Sequence, residues 1–138
     1  MKTTEDTEKN TKNMEIKKIL VADDELETLE LLKFALEQAG YQVIPVTNGK
    51  ALIEKAVTEK PDLLIVDLMM PQIDGFTGII LLRKNPELKD IPIIVSTGYE
   101  QLKNLFMLHE VAKIQDFIAK PFMVETLLDK IKQIYGKE

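Results

Sequence analysis

The chain has 138 residues, 18 Lys and Arg against 23 Asp and Glu, a formal charge of −5 and no cysteine. That length suits one domain with a real hydrophobic core. Mild acidity argues against a nucleic-acid partner held by a broad basic face, and the lack of thiols excludes disulfides and cysteine-ligated metals. His109 is the single histidine, which rules out a multi-histidine metal site and speaks against a histidine-based catalytic triad. No apolar run approaches the length of a membrane span. The opening MKTTEDTEKNTKN lacks the apolar centre of a secretory signal. No membrane insertion and a cytoplasmic location are therefore expected.

Residues 1–15 are polar and nearly devoid of apolar groups, and read as a disordered arm. Residues 16–138 read as the folded domain. Lys18 to Ala22 is a short β-type run, and Glu25 to Ala39 reads as a helix with Asp24 as N-cap and Gly40 as stop signal. Tyr41 to Val46 is the second strand, and a helix spans about Lys50 to Lys60 before Pro61-Asp62. Leu63 to Asp67 is the third strand, apolar until its last residue, with a turn expected at Asp74-Gly75. Gly75 to Arg83 reads as a helix closed by Asn85-Pro86, Pro92 to Ser96 as the fourth strand, and Glu100 to Val111 as the fourth helix. Gln115 to Ala119 and Val124 to Tyr135 are the last strand and helix. Five β-α alternations imply a doubly wound parallel sheet with helices on both faces. The continuously apolar strands fit, because such strands are buried on both sides. With the last helix ending near the C-terminus, no second DNA-binding or catalytic domain is expected.

In such sheets ligands bind beyond the carboxyl ends of the strands, at the point where strand order reverses. Asp23, Asp24 and Glu25 follow the first strand, Asp67 the third, Ser96, Thr97 and Gly98 the fourth, and Lys120-Pro121 the fifth. In the order 2-1-3-4-5, the first and third strands are neighbours, which gathers Asp23, Asp24 and Asp67. Two unit charges about 4 Å apart repel by roughly 4 kcal/mol at an effective dielectric near 20. Either a pKa rises sharply or a cation sits among the carboxylates. Oxygen donors without imidazole favour Mg²⁺, with Mn²⁺ as a substitute, over zinc. An aspartate nucleophile, a divalent cation, Lys120 and the Thr97 hydroxyl make a phosphoryl-transfer site, since that catalysis is largely positioning and charge neutralisation.

LVADDE (20–25), IVDLMMPQIDG (65–75), PIIVSTG (92–98) and FIAKPF (117–122) together resemble the receiver domain of two-component response regulators, in a stand-alone, chemotaxis-type form with a flavodoxin-like fold. Each piece is common alone; the four in this order are specific. The resemblance implies that Asp67 is the phosphoacceptor. It implies that Asp24, Asp67 and the Met69 backbone carbonyl ligate Mg²⁺, and that Asp23 acts through a water. Lys120 would pair with the carboxylate and then with the phosphoryl group. Thr97 and Phe117 would be the switch pair, and Lys120-Pro121 a cis peptide. Met69, Gly98 and Tyr99 occupy positions that tune phosphoryl lifetime. The implied partners are a histidine kinase or phosphotransfer protein, and a target bound through the fourth helix, fifth strand and fifth helix. Direct nucleic-acid binding is not expected, and a homodimer of the phosphorylated form is left open. Such a protein is a switch rather than an enzyme, catalysing only its own phosphorylation and dephosphorylation. The segment 111–116, VAKIQD, lacks the glycine usual before the fifth strand.

Plainer roles stand beside these. Asp23 and Asp24 could simply cap a helix, Thr97 could be a cap, and Phe117 a core aromatic in at least one state. His109 reads as a surface or packing residue. Leu29, Leu31, Leu32, Phe34, Ala35 and Leu36 could bury more than one face of the first helix, with a partner-docking edge as the alternative, while Leu102, Leu105, Phe106 and Leu108 read first as core-facing, an exposed member marking an output surface. Competing functions are a constitutive docking module without phosphotransfer, a flavin or nucleotide binder, and a Mg²⁺-dependent hydrolase with an aspartyl-phosphate intermediate.

Overall fold

Side chains of a strand alternate between two faces, and in this protein both faces are covered. The computed structural model describes residues 16–98 and 102–136. It runs β1 (Lys18–Ala22), α1 (Leu26–Gln38), β2 (Gln42–Val46), α2 (Gly49–Glu59), β3 (Leu63–Val66), α3 (Gly75–Arg83), β4 (Ile93–Thr97), α4 (Leu102–Ala112), β5 (Asp116–Ala119) and α5 (Val124–Gly136). The five strands are parallel in the order β2-β1-β3-β4-β5. This is the doubly wound parallel sheet expected from the alternation of strands and helices.

Ile19, Val21, Leu63, Ile65, Ile94 and Ile118 pack under α1 and α5, against Leu29, Leu32, Leu36, Leu127 and Ile131. Their neighbours Leu20, Ala22, Leu64, Val66, Ile93 and Val95 point the other way, onto Leu52, Ile79, Leu82, Leu105 and Leu108. That two-sided burial is why β3 contains no polar residue. Asp67 lies one position beyond β3, and the Leu63–Asp67 strand therefore ends a residue earlier than expected.

Helix ends follow local chemistry. Asn48 caps α2 by accepting from the Ala51 amide at 2.8 Å. Asp74 caps α3 by accepting from the Thr77 amide at 2.7 Å, so Asp74-Gly75 is a helix start rather than a free turn. Gly40 ends α1 at φ 102°, a backbone shape that glycine adopts without steric cost. The N-cap of α1 is Glu25, not Asp24, because the chain makes one further turn residue before the helix. Asp23, not Asp24, accepts the Glu25 amide, at 2.9 Å. Only one face of α1 is buried. Leu26, Leu31 and Phe34 are exposed, correcting the expectation of burial on more than one side. Phe106 is the exposed member of its set, at 81%, since α4 turns Leu105 and Leu108 to the sheet. Among the described residues no helix is long and apolar enough to cross a membrane.

Two glycines set how closely the loop after β3 packs. A Cβ on Gly75 would lie 2.2 Å from the Asp67 carbonyl oxygen and 2.8 Å from Leu68 Cα. A Cβ on Gly49 would fall on the Ile73 carbonyl. The loop is thus held between the amino ends of α2 and α3, and the Gly75 amide bonds the Leu68 carbonyl at 3.1 Å. Gly75→Ala must push backbone aside, and should lower the free energy of unfolding by about 1–3 kcal/mol, as overpacking typically does. Urea denaturation would measure this; an unchanged midpoint would show that the loop can yield.

Candidate functional site

Backbone bonds one residue past each strand bring the chemistry to a common level. The Asp23 amide bonds the Val46 carbonyl at 3.1 Å, the Asp67 amide the Ala22 carbonyl at 2.9 Å, and the Lys120 amide the Thr97 carbonyl at 2.8 Å. Registers Ala22↔Val66, Val66↔Val95 and Thr97↔Ala119 align the strand ends. Residues far apart in sequence therefore meet above one edge of the sheet.

Lys120 is the centre of the cluster. Its Nζ lies 2.7 Å from Asp23 Oδ2, 2.9 Å from Asp67 Oδ2 and 3.6 Å from Glu25 Oε1. Asp23 and Asp67 are buried, while Asp24 is exposed at the rim. The other oxygen of each buried carboxylate is also used: Asp67 Oδ1 accepts the Met69 amide at 2.9 Å, and Asp23 Oδ1 the Glu25 amide. Burial pushes the Lys120 pKa down, but its bonds to Asp23 and Asp67 outweigh this and hold the ammonium well above its ordinary range. Burial pushes the Asp67 carboxyl up, and Asp23 adds to that shift. The Met69 amide and Lys120 oppose it without cancelling it. One cation divided between two carboxylates leaves Asp67 short of positive charge.

Asp23, Asp24 and Asp67 each offer a carboxylate oxygen, and these oxygens lie within 4.8 Å of one another. The set is all oxygen and partly open to solvent. That fits a hard divalent cation that keeps several waters, such as Mg²⁺, better than zinc.

Beside the carboxylates opens a cleft of about 710 Å³, lined by Asp24, Asp67, Met69, Thr97, Gly98 and Lys120, with Leu31, Leu32 and Phe122 on an apolar wall. Thr97 Oγ1 and Ser96 Oγ are both buried without a hydrogen-bond partner, a costly condition for a hydroxyl. Met69 presents its side chain to solvent, and Phe117 is turned outward at 42% exposure. The Lys120-Pro121 peptide is cis. Tyr99 lies outside the described residues. His109 is exposed on α4, away from this cleft.

The structure thus brings together Asp23, Asp24, Asp67, Met69, Thr97, Gly98 and Lys120, and places Phe117 apart from them on the outer face of β5. Two participants had been given no role from the sequence. Glu25, third in the acidic run, reaches Lys120 and also accepts from Thr28 Oγ1 at 3.1 Å. Ser96, a hydroxyl where the strand pattern calls for an apolar residue, was the available signal for a second buried polar atom beside Thr97.

The family description "Response regulator receiver domain" matches residues 19–132. The chain belongs to this family. It is 36% identical over 118 residues to the alkaline phosphatase synthesis transcriptional regulatory protein PhoP of Bacillus subtilis, covering 86% of this chain and 48% of that protein. The chain spans about half the length of this relative and of other transcriptional regulators it matches. A putative response regulator from Chloroflexus aurantiacus superposes with a TM-score of 0.81 at 30% identity, over 88% of this chain and 99% of that one. Chemotaxis protein CheY4 of Vibrio cholerae superposes at 0.80 with 26% identity, over 87% and 99%. As a receiver domain of two-component response regulators, the chain is a module of phosphorylation-dependent signalling.

The receiver's charge cluster has a measurable cost. A carboxyl whose folded pKa is raised destabilises the fold wherever it is ionised. Relative to its unfolded value, the penalty is absent at low pH and grows as pH rises through the folded pKa. In EDTA at pH 7, Asp67→Asn should therefore raise the melting temperature, by roughly 4 °C for each ~1 kcal/mol relieved. The gain should vanish below the ordinary aspartate pKa of about 3.9, where both states are protonated. Thermal scans across pH would test it; a variant melting below wild type at pH 7 would show that Lys120 satisfies Asp67 fully.

Proposed function

We propose that Asp67 accepts a phosphoryl group from a histidine kinase or phosphotransfer protein, and that the modified receiver changes which protein it binds. The observation that carries this reading is Asp67 itself. It is a buried carboxylate with a raised pKa, opening on a cleft, flanked by a lysine, two further carboxylates and an unpartnered hydroxyl. One Asp67 carboxylate oxygen attacks phosphorus and forms the O–P bond. The bond from phosphorus to the donor imidazole nitrogen breaks, and that nitrogen takes the electron pair and a proton. Mg²⁺ (or Mn²⁺) held by Asp24, Asp67 and the Met69 carbonyl, with Asp23 acting through a water, supplies neutralising charge when bound.

Lys120 already spans Asp23 and Asp67, and needs only a small shift to pair with a phosphoryl oxygen. The phosphoryl group brings about −1.5 to −2 charge and three acceptor oxygens. The buried Thr97 hydroxyl supplies a donor for one of them. Its movement vacates space that the outward Phe117 ring fills, and the surface of α4, β5 and α5 changes shape for the target. That surface carries an apolar groove of about 650 Å³ lined by Leu105, Phe106, Ile114 and Phe117. Donor docking falls on the opposite side of the cleft, where Leu26, Leu31 and Phe34 of α1 lie exposed. Access to the phosphoryl group is tuned by Met69 and Gly98 at the cleft wall, together with Tyr99.

Intact-mass spectrometry after incubation with acetyl phosphate and Mg²⁺ should find one phosphoryl adduct. It should be absent in Asp67→Asn and in EDTA, and retained in Thr97→Ala. The Thr97 variant should lose the switch instead, with target affinity no longer raised by phosphorylation. A wild type that forms no adduct and binds no beryllofluoride would overturn the reading.

A further inference from the structure

The segment after α4 contains no glycine, and Lys113 takes the left-handed backbone shape there, at φ 52°. A lysine adopts it less freely than glycine does, and a helix end also leaves carbonyls needing donors. The donors come from another helix. Arg83, the last residue of α3, donates from Nε to the Ala112 carbonyl at 2.6 Å and from Nη2 to the Lys113 carbonyl at 3.2 Å. On the other side of the guanidinium, Nη1 meets the carbonyls of Ile91 at 2.6 Å, Lys89 at 3.1 Å and Leu88 at 3.2 Å. One planar cation thereby joins the end of α3, the run into β4 and the last turn of α4. All of these acceptors are backbone carbonyls, so the bonds fix chain position rather than side-chain choice.

The two ends of this region differ sharply. At the far end of α4, Arg83 satisfies the carbonyls while Ala112 and Ile114 are buried with Leu82, Leu88 and Ile91. At the near end, beside the phosphoryl site, the hydroxyls of Ser96 and Thr97 are buried and unpartnered. A bonded, packed end resists movement, and an unsatisfied end has something to gain from it.

We infer that Arg83 is a positioning residue that anchors the C-terminal end of α4 as a fixed pivot, so that rearrangement at Thr97 is expressed as a tilt of α4 about that end. The inference rests on Asp67 being the phosphoacceptor. The groove formed by Leu105, Phe106, His109, Ile114 and Phe117 lies between pivot and moving end. Its width follows the tilt angle. Lysine cannot replace Arg83, because a single ammonium does not reach both sets of carbonyls as a planar fork does.

Hydrogen exchange on the full chain, with Mg²⁺ and with or without beryllofluoride, tests this in wild type, Arg83→Met and Arg83→Lys. In wild type, beryllofluoride should change exchange by about fivefold or more at Thr97, Gly98 and residues 105–108, and by less than about twofold at 111–116. In both variants exchange at 111–116 should rise about tenfold and become sensitive to beryllofluoride, with β1 and β3 protected as before. An equal response at 105–108 and 111–116 in wild type overturns the pivot, whatever the variants do. So does wild-type exchange at 111–116 in a folded Arg83→Met, or in Arg83→Lys if the methionine variant does not fold. Absence of any response in wild type, with no beryllofluoride bound, overturns the phosphoacceptor reading and the pivot with it.

Discussion

The ammonium of Lys120 lies 2.7 Å from Asp23 and 2.9 Å from Asp67, and so ties β5 to β1 and β3 across the top of the sheet. β4 lies between the elements it joins, and the Thr97 side chain is buried there without a partner. The cluster holds less positive charge than its carboxylates carry, and burial raises the Asp67 pKa despite a direct ion pair, with Asp23 adding to the shift. A site built only for stability would have matched the charges one to one, or used apolar residues. In the proposed function the deficit is the driving condition: incoming positive charge relieves the carboxylates, and the phosphoryl group gives both Lys120 and Thr97 new acceptors.

The framework was legible because burial on two sides leaves a blunt signature. Four-residue β3 is entirely apolar, and the polar residues that follow each strand mark where the sheet edge ends. Exact ends were less so. Asp67 falls outside β3 and α1 begins at Leu26, because a backbone bond or a single turn residue decides these limits. Helix faces were poorly legible where apolar residues surround the axis. In α1, the run Leu29 to Leu36 permits several buried stripes, and only the sheet selects Leu29, Leu32 and Leu36 while leaving Leu31 and Phe34 outside. In α4 the sheet likewise selects Leu105 and Leu108 and leaves Phe106 outside. Within the site, residue types could be read from strand ends. The sharing of one lysine among Asp23, Asp67 and Glu25 could not, because it depends on side-chain reach across three elements. Arg83 was invisible for a related cause: its partners are carbonyls, which every residue has.

Two sets among the exposed apolar residues flank the cleft. Leu26, Leu31 and Phe34 stand on α1, and Leu31 reaches into the cleft wall. Phe106, Met107, Val111 and Phe117 stand on α4 and β5. A module that receives a group from one protein and reports to another needs two such surfaces, and the sheet separates them by its own width.

The close approach of Gly49 and Gly75 has a mechanical consequence. The Asp67 carbonyl bears on Gly75 and the Ile73 carbonyl on Gly49, leaving no slack between the acceptor loop and two helices. That half of the molecule behaves as an anvil. In the proposed function, a force arising at Asp67 would meet this close packing beneath it and pass to the other side of the cleft, where buried hydroxyls lack partners and the Phe117 ring is partly exposed. Stiffness on one side gives the signal its direction.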